Sequence, residues 1–169
     1  VVRRCVYSII VGFFCVGTAL SSAKPYRVVS IDHAEKPQIR GIYINSGVAM
    51  STRKLHRLAK QAKAVGINTF IMNYVPRSPR YRKNVKWVES QGIQYIPRIV
   101  MYPGGGTHEQ LTSASLLEKR MAKINATIDL GAKEVQLDYI RYSSRNAASP
   151  ENAKIVAGIL ETIKQRVHK

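Results

Sequence analysis

One short stretch sets a carboxylate where an α/β fold does its chemistry. Residues 134–142, EVQLDYIRY, are rich in strand formers and lie between Gly131 and Ser143-Ser144, which predicts a β-strand. Alternation places Val135, Leu137 and Tyr139 on one face and Gln136, Asp138 and Ile140 on the other. A strand inside a parallel sheet is normally apolar on both faces, so an amide and a carboxylate pointing the same way need a reason. Asp138 also stands near the C-terminal end of the strand, the end at which α/β folds bind ligands. Pairing with a neighbouring arginine, or capping a loop, is the plainer role for it.

Three earlier stretches extend the pattern. Residues 40–45 (RGIYIN), 67–75 (INTFIMNYV) and 93–102 (IQYIPRIVMY) also read as strands. Their alternation points Tyr43 and Asn45, then Asn73, then Arg98 and Val100, toward the side that holds Gln136 and Asp138. Hydrogen-bonding side chains converging on one carboxylate suit a polyol or a sugar. A buried polar network that fixes strand register would use the same residue types. Other chemistries lack their signatures. His33, His56, His108 and His168 are scattered without metal-ligand spacing. Gly104-Gly105-Gly106 lacks the Lys-Ser/Thr of a phosphate loop and reads as a mobile turn close to substrate. No nucleophile motif is present. No metal and no cofactor are expected.

The elements between these strands read as helices. Ser51-Thr52 opens one that carries Leu55, Leu58, Ala59, Ala62 and Val65 and stops at Gly66. Residues 81–91 form the next, closed by Gly92. Two capping boxes follow, Thr107 with Gln110 and Ser115 with Glu118, the second opening a long helix that stops at Gly131. Ser149-Pro150-Glu151 starts the last. Pro97 removes a ladder donor from the third strand and predicts a local distortion there. Four successive strand–helix units imply parallel strands with right-handed crossovers. Two α/β architectures fit: the first half of a (β/α)8 TIM barrel, or a four-stranded doubly wound parallel sheet.

The chain has 169 residues, with 27 Lys and Arg against 10 Asp and Glu, a formal net charge of +17. The densest basic stretch, residues 77–86, reads as a solvated helix face or as a surface for a polyanion. No helix-turn-helix, zinc-finger or aromatic RNA-binding pattern points to specific nucleic acid. Residues 1–23 resemble an export signal: Arg3-Arg4, an apolar run over 6–20, then Ser21-Ser22-Ala23 as a cleavage site. Cys5 and Cys15 both fall within it. Cleavage would leave no stable membrane span and a mature chain in the periplasm, envelope or medium. Residues 24–39, with Pro25 and Pro37, read as a linker, and residues 40–169 as the folded domain.

The stretches RGIYIN, GINTFIMNYV, GIQYIPRIVMYPGGG and GAKEVQLDYIRY, in this order, resemble the first four strands of a bacterial glycosyl hydrolase-like family, a domain of unknown function. LDYIRY is the most specific of them. The resemblance implies a (β/α)8 barrel related to the α-amylase-like enzymes, carbohydrate as partner, and Asp138 at the mouth of the active site. It brings Tyr139 and Arg141 into the substrate-binding set with Tyr43, Asn45, Asn73, Arg98 and Gln136. The sequence departs from the family at Asn73, where many relatives carry an acid, and it holds four units where the family has eight. Glycoside hydrolysis uses two carboxyl groups. Asp138 is the one well placed here, and Glu109 is a remote second. The expectation is therefore a truncated, glycoside hydrolase-like protein that acts on or binds carbohydrate, or a non-catalytic glycan- or polyanion-binding remnant. An open half-barrel is further expected to pair as a homodimer.

Overall fold

The computed structural model describes residues 38–167. The expected signal segment, both cysteines, most of the linker, His33 and His168 lie outside the described residues. The elements are β1 (Gly41–Ile44), α1 (Ser46–Ala49), α2 (Thr52–Ala64), β2 (Thr69–Asn73), α3 (Pro79–Ser90), β3 (Gln94–Val100), α4 (His108–Thr112), α5 (Ala114–Ile128), β4 (Gln136–Asp138) and α6 (Pro150–Val167). The four strands pair in parallel in the order β1-β2-β3-β4. An all-parallel sheet with alternating strand and helix units is the α/β class expected, and both architectures are compatible with it.

The helix boundaries follow local chemistry. The Ser51 and Ser78 side chains cap α2 and α3 by accepting the amides of Lys54 and Tyr81. Thr107 and Gln110 form the reciprocal capping box at α4. Ser149 accepts the Asn152 amide at 3.1 Å and opens α6. The second expected box is not formed. Ser113 caps α5 instead, accepting the Leu116 amide at 3.2 Å, so Ser115 lies inside the helix. Ser113 also ends α4, and this shared boundary starts α5 two residues earlier than its sequence suggests.

Pro97 leaves the third strand undistorted. It keeps register with Met72, and β3 continues to Val100. The Tyr74 amide donates to the Arg98 carbonyl and the Met101 amide to the Asp138 carbonyl, so odd-numbered residues of β3 face β4. Pairing with β4 begins only at Arg98. The missing donor thus falls where the ladder has not yet started.

The two faces of the sheet differ. Ile44, Phe70, Met72, Tyr95 and Ile99 point into the core against Leu55 and Ala59 of α2, Val85 and Val88 of α3, Met121 and Ile124 of α5, and Ile159 and Ile163 of α6. On the other face Tyr43 is 51 % exposed, and Ile71, Asn73, Arg98, Val100 and Asp138 are part-exposed. The strand order never reverses, so successive right-handed crossovers put their helices on one side.

Two tyrosines form the polar centre of this core. Tyr81 and Tyr95 are buried, with hydroxyls 3.1 Å apart and rings edge to face at 6.4 Å. Burial pushes both phenols well above their ordinary ionisation range. The phenol form is the folded form, so this contribution is complete below about pH 10 and is lost as pH rises beyond it. We expect far-UV circular dichroism and tyrosinate absorbance to change together in alkali. The Tyr81→Phe/Tyr95→Phe double variant should lose stability less steeply there; a slope equal to the parent's would rule out this origin.

Candidate functional site

Arg98 is the hub of the open face. Register places it beside Asn73 of β2 and Gln136 of β4, with Asp138 one step further along β4. Its Nη2 forms an ion pair with Asp138 Oδ2. Its Nη1 donates to Asn73 Oδ1 at 2.7 Å and to the Tyr43 hydroxyl at 3.4 Å, and the guanidinium lies 5.4 Å from the centre of the Tyr43 ring. The Arg98 and Asp138 side chains keep 18 % and 30 % of their surface exposed. One guanidinium thus joins residues of β1, β2 and β4 on a single face, at the C-terminal ends of the strands. The Asn73 amide donates onward to Ser46 Oγ at 3.3 Å.

The carboxylate is also held from behind. Its Oδ1 accepts the amide of Tyr139 at 2.8 Å, and Tyr139 has a φ of 54°. This left-handed residue ends the strand at once. Alternation therefore stops at Asp138, and Ile140, expected beside the carboxylate, packs into the core.

The remaining expected residues divide. Gln136 is exposed next to Arg98. Asn45 is drawn away, because its side chain accepts the Val48 amide at 2.9 Å as the N-cap of α1. Arg141 lies 5.4 Å from the centre of the Tyr139 ring and donates to the Tyr142 carbonyl at 3.0 Å. Those two form a separate cluster beyond the strand. Glu109 sits in the first turn of α4 and is exposed.

Two residues join the site that the alternation of strands could not supply. Ser46 and Lys123 line a pocket of about 180 Å³ with Asn73, Tyr74, Arg98 and Val100. Burial, and then the nearby Arg120 charge, hold the Lys123 amine below its usual range. Lys123 lies about 100° round α5 from Ile124, off the stripe formed by Met121, Ile124 and Thr127, so helical spacing does not mark it in the sequence. The pocket is small against the roughly 300–1,000 Å³ of ordinary ligand sites.

The loops after β3 and β4 are tied to each other. The Gly106 amide donates to the Arg141 carbonyl at 2.9 Å, and the Ser143 amide donates back to the Gly106 carbonyl at 3.0 Å. Gly105, at φ 93°, lies so close that a Cβ there would come within 2.5 Å of the Tyr142 carbonyl oxygen and 2.7 Å of the Ser143 backbone. The turn expected to be mobile is thus stapled to the segment that follows the carboxylate. The His108 Nδ1 and Tyr142 hydroxyl, 3.0 Å apart, add a side-chain link.

The fold has solved counterparts. One is a hypothetical protein from Ruminiclostridium thermocellum ATCC 27405, with a TM-score of 0.60 and 17 % identity, over 74 % of this chain and 92 % of that one. Another is the C-terminal domain of a "putative chitinase" from Desulfitobacterium hafniense DCB-2, with a TM-score of 0.56 and 13 % identity, over 78 % of this chain and 43 % of that one. At such identities the likeness is one of fold. No family profile and no curated protein matches the sequence. Among the described residues no group of three or more His, Cys, Asp or Glu could hold a metal ion, and no helix is long and apolar enough to cross a membrane.

Proposed function

We propose that this chain forms one wall of a (β/α)8-type, glycoside hydrolase-like barrel, that its open face binds carbohydrate, and that it does so after export. The observation that carries the reading is the Tyr43–Asn73–Arg98–Asp138 cluster at the C-terminal strand ends, on the sheet face opposite the helix-packed core. A planar guanidinium, a carboxylate, an amide and an aromatic ring side by side match the hydroxyls and apolar faces of a sugar. The fold shared with the chitinase-related domain agrees with it. Sequential strand order and a one-sided helix layer support the barrel wall over the doubly wound sheet. A glycan array run beside a hydrolysis screen tests the reading, and a blank result in both would end it.

Binding is the better supported half of the proposal. Hydrolysis asks for two carboxyl groups, about 5 Å apart for retention or 6.5–9.5 Å for inversion. Here Asp138 is engaged by Arg98 and by its own neighbour's amide.

Among the described residues one sheet face is uncovered and no further strand pairs with β1 or β4, which supports the homodimer. Tyr43, Ile71 and Val100 would be buried against a second copy by two-fold symmetry. We expect the mature chain to sediment as a dimer at micromolar concentration. A sharp monomer that binds no hydrophobic dye would remove the half-barrel from consideration. For export, N-terminal sequencing of envelope protein should begin at or near Lys24; intact chain confined to the cytosol would refute it.

A further inference from the structure

The outer layer holds a second surface of different character. The α2 segment carries five Lys and Arg and no acid, and α3 carries four and a single acid. Helices α5 and α6 are mixed, with acids at Glu118, Glu151 and Glu161. In α2 the inward residues are Leu55, Ala59 and Ala62, so Arg53, Arg57 and Lys60 line the opposite stripe. In α3 Tyr81, Val85 and Val88 face inward, and Arg82, Lys83 and Lys86 are exposed.

The two rows lie side by side. Thr52 Oγ1 donates to Asn84 Oδ1 at 2.9 Å, His56 stacks on Trp87 with ring centres 3.5 Å apart, and Lys63 Nζ donates to the Gln91 carbonyl at 2.8 Å. These contacts run the length of α2 and along the second half of α3. Both ion pairs among the described residues are elsewhere, at Arg98–Asp138 and Arg166–Glu118. Glu89, the acid of α3, turns toward Gly131. Like charges one turn apart weaken a helix, and here no acid relieves Arg53 and Arg57 or Arg82 and Lys86.

We propose that the outer face of α2 and α3 is a docking surface for an acidic polysaccharide, held by charge along the two rows. Among the described residues the exposed large apolar ones are Ile39, Tyr43, Val65, Ile128, Tyr139, Leu160 and Val167, and none lies on the outward stripes, so nothing on those stripes would insert into a lipid surface. The aromatic ring at their seam is already stacked, which leaves no platform for bases. A flexible chain of repeated carboxylates needs neither. The choice of a sugar polymer rests on the carbohydrate reading of the opposite face.

The test uses the full chain and fluorescein-labelled polygalacturonate, followed by anisotropy and by the emission of Trp87, the single tryptophan of the sequence. Binding should perturb that emission and weaken about tenfold or more between roughly 50 and 200 mM salt. Arg57→Glu/Lys83→Glu should lower affinity about tenfold, and the milder Arg57→Gln/Lys83→Gln less. Lys119→Glu/Lys154→Glu changes net charge equally on α5 and α6 and should leave most of the binding in place. Equal loss from both charge reversals, unchanged Trp87 emission, or tighter binding to phosphatidylglycerol vesicles or duplex DNA would each overturn the proposal. Polygalacturonate binding without any glycan-array signal that depends on Arg98 would instead fail the open-face reading and leave this surface standing.

Discussion

Arg98→Met is expected to weaken oligosaccharide binding at the open face by tenfold or more while the domain stays folded. Methionine keeps an unbranched apolar stem in place of the arginine's and removes the guanidinium that reaches Asp138, Asn73 and Tyr43. A hydrogen bond to a charged group is worth about 1.5–3 kcal/mol, and about 1.4 kcal/mol is tenfold in affinity. The cost to folding should be smaller, about 1 kcal/mol, because Asp138 retains both solvent and the Tyr139 amide. Asp138→Asn keeps the shape but sets an amide donor against a guanidinium donor, so it should lose binding as well. The double variant should lose less than the sum, since the two residues act as one unit. Titration calorimetry with urea melts on the same samples separates the two effects. Full binding or hydrolysis by both single variants would disqualify the cluster.

The largest effect on stability is expected at Gly105. An alanine there meets two costs. Its φ of 93° is disfavoured for any residue with a Cβ, and the new atom would run into the Tyr142 carbonyl and the Ser143 backbone. Neither neighbour can withdraw without breaking the paired bonds between Gly106 and residues 141 and 143. Strain of about 1–2 kcal/mol and a clash of about 1–3 kcal/mol predict a loss of roughly 3 kcal/mol or more. Gly104 is the control, because it shares a positive φ of 74° but has open space around its Cβ position. Gly104→Ala should cost only the strain. Equal urea midpoints for the two variants would contradict the close approach.

The open-face cluster was legible from period-two alternation alone. Tyr43, Asn73, Arg98, Gln136 and Asp138 share a face because each belongs to a strand, and the strands stay in register past Pro97. Legibility ended where the strands did. Asn45 falls one residue beyond β1, where a cap outcompetes inward alternation. Tyr139 leaves the strand through a left-handed backbone, which sends Ile140 to the core and Arg141 onto the tyrosine ring. Lys123 reaches the site from a helix, through tertiary packing that no local pattern encodes.

The staple between the loops after β3 and β4 sets how this mouth would receive a ligand. Gly106 and Ser143 exchange backbone bonds across the two segments, so the segments must unfold locally together or not at all. Their amides should then show matched protection from hydrogen exchange, already high in the free protein. A site ordered in advance has no backbone left to immobilise, and the entropy lost on occupancy is that of a few side chains and of the ligand. The heat capacity change on binding would report the small surface covered, without the larger signature of a segment folding around its guest.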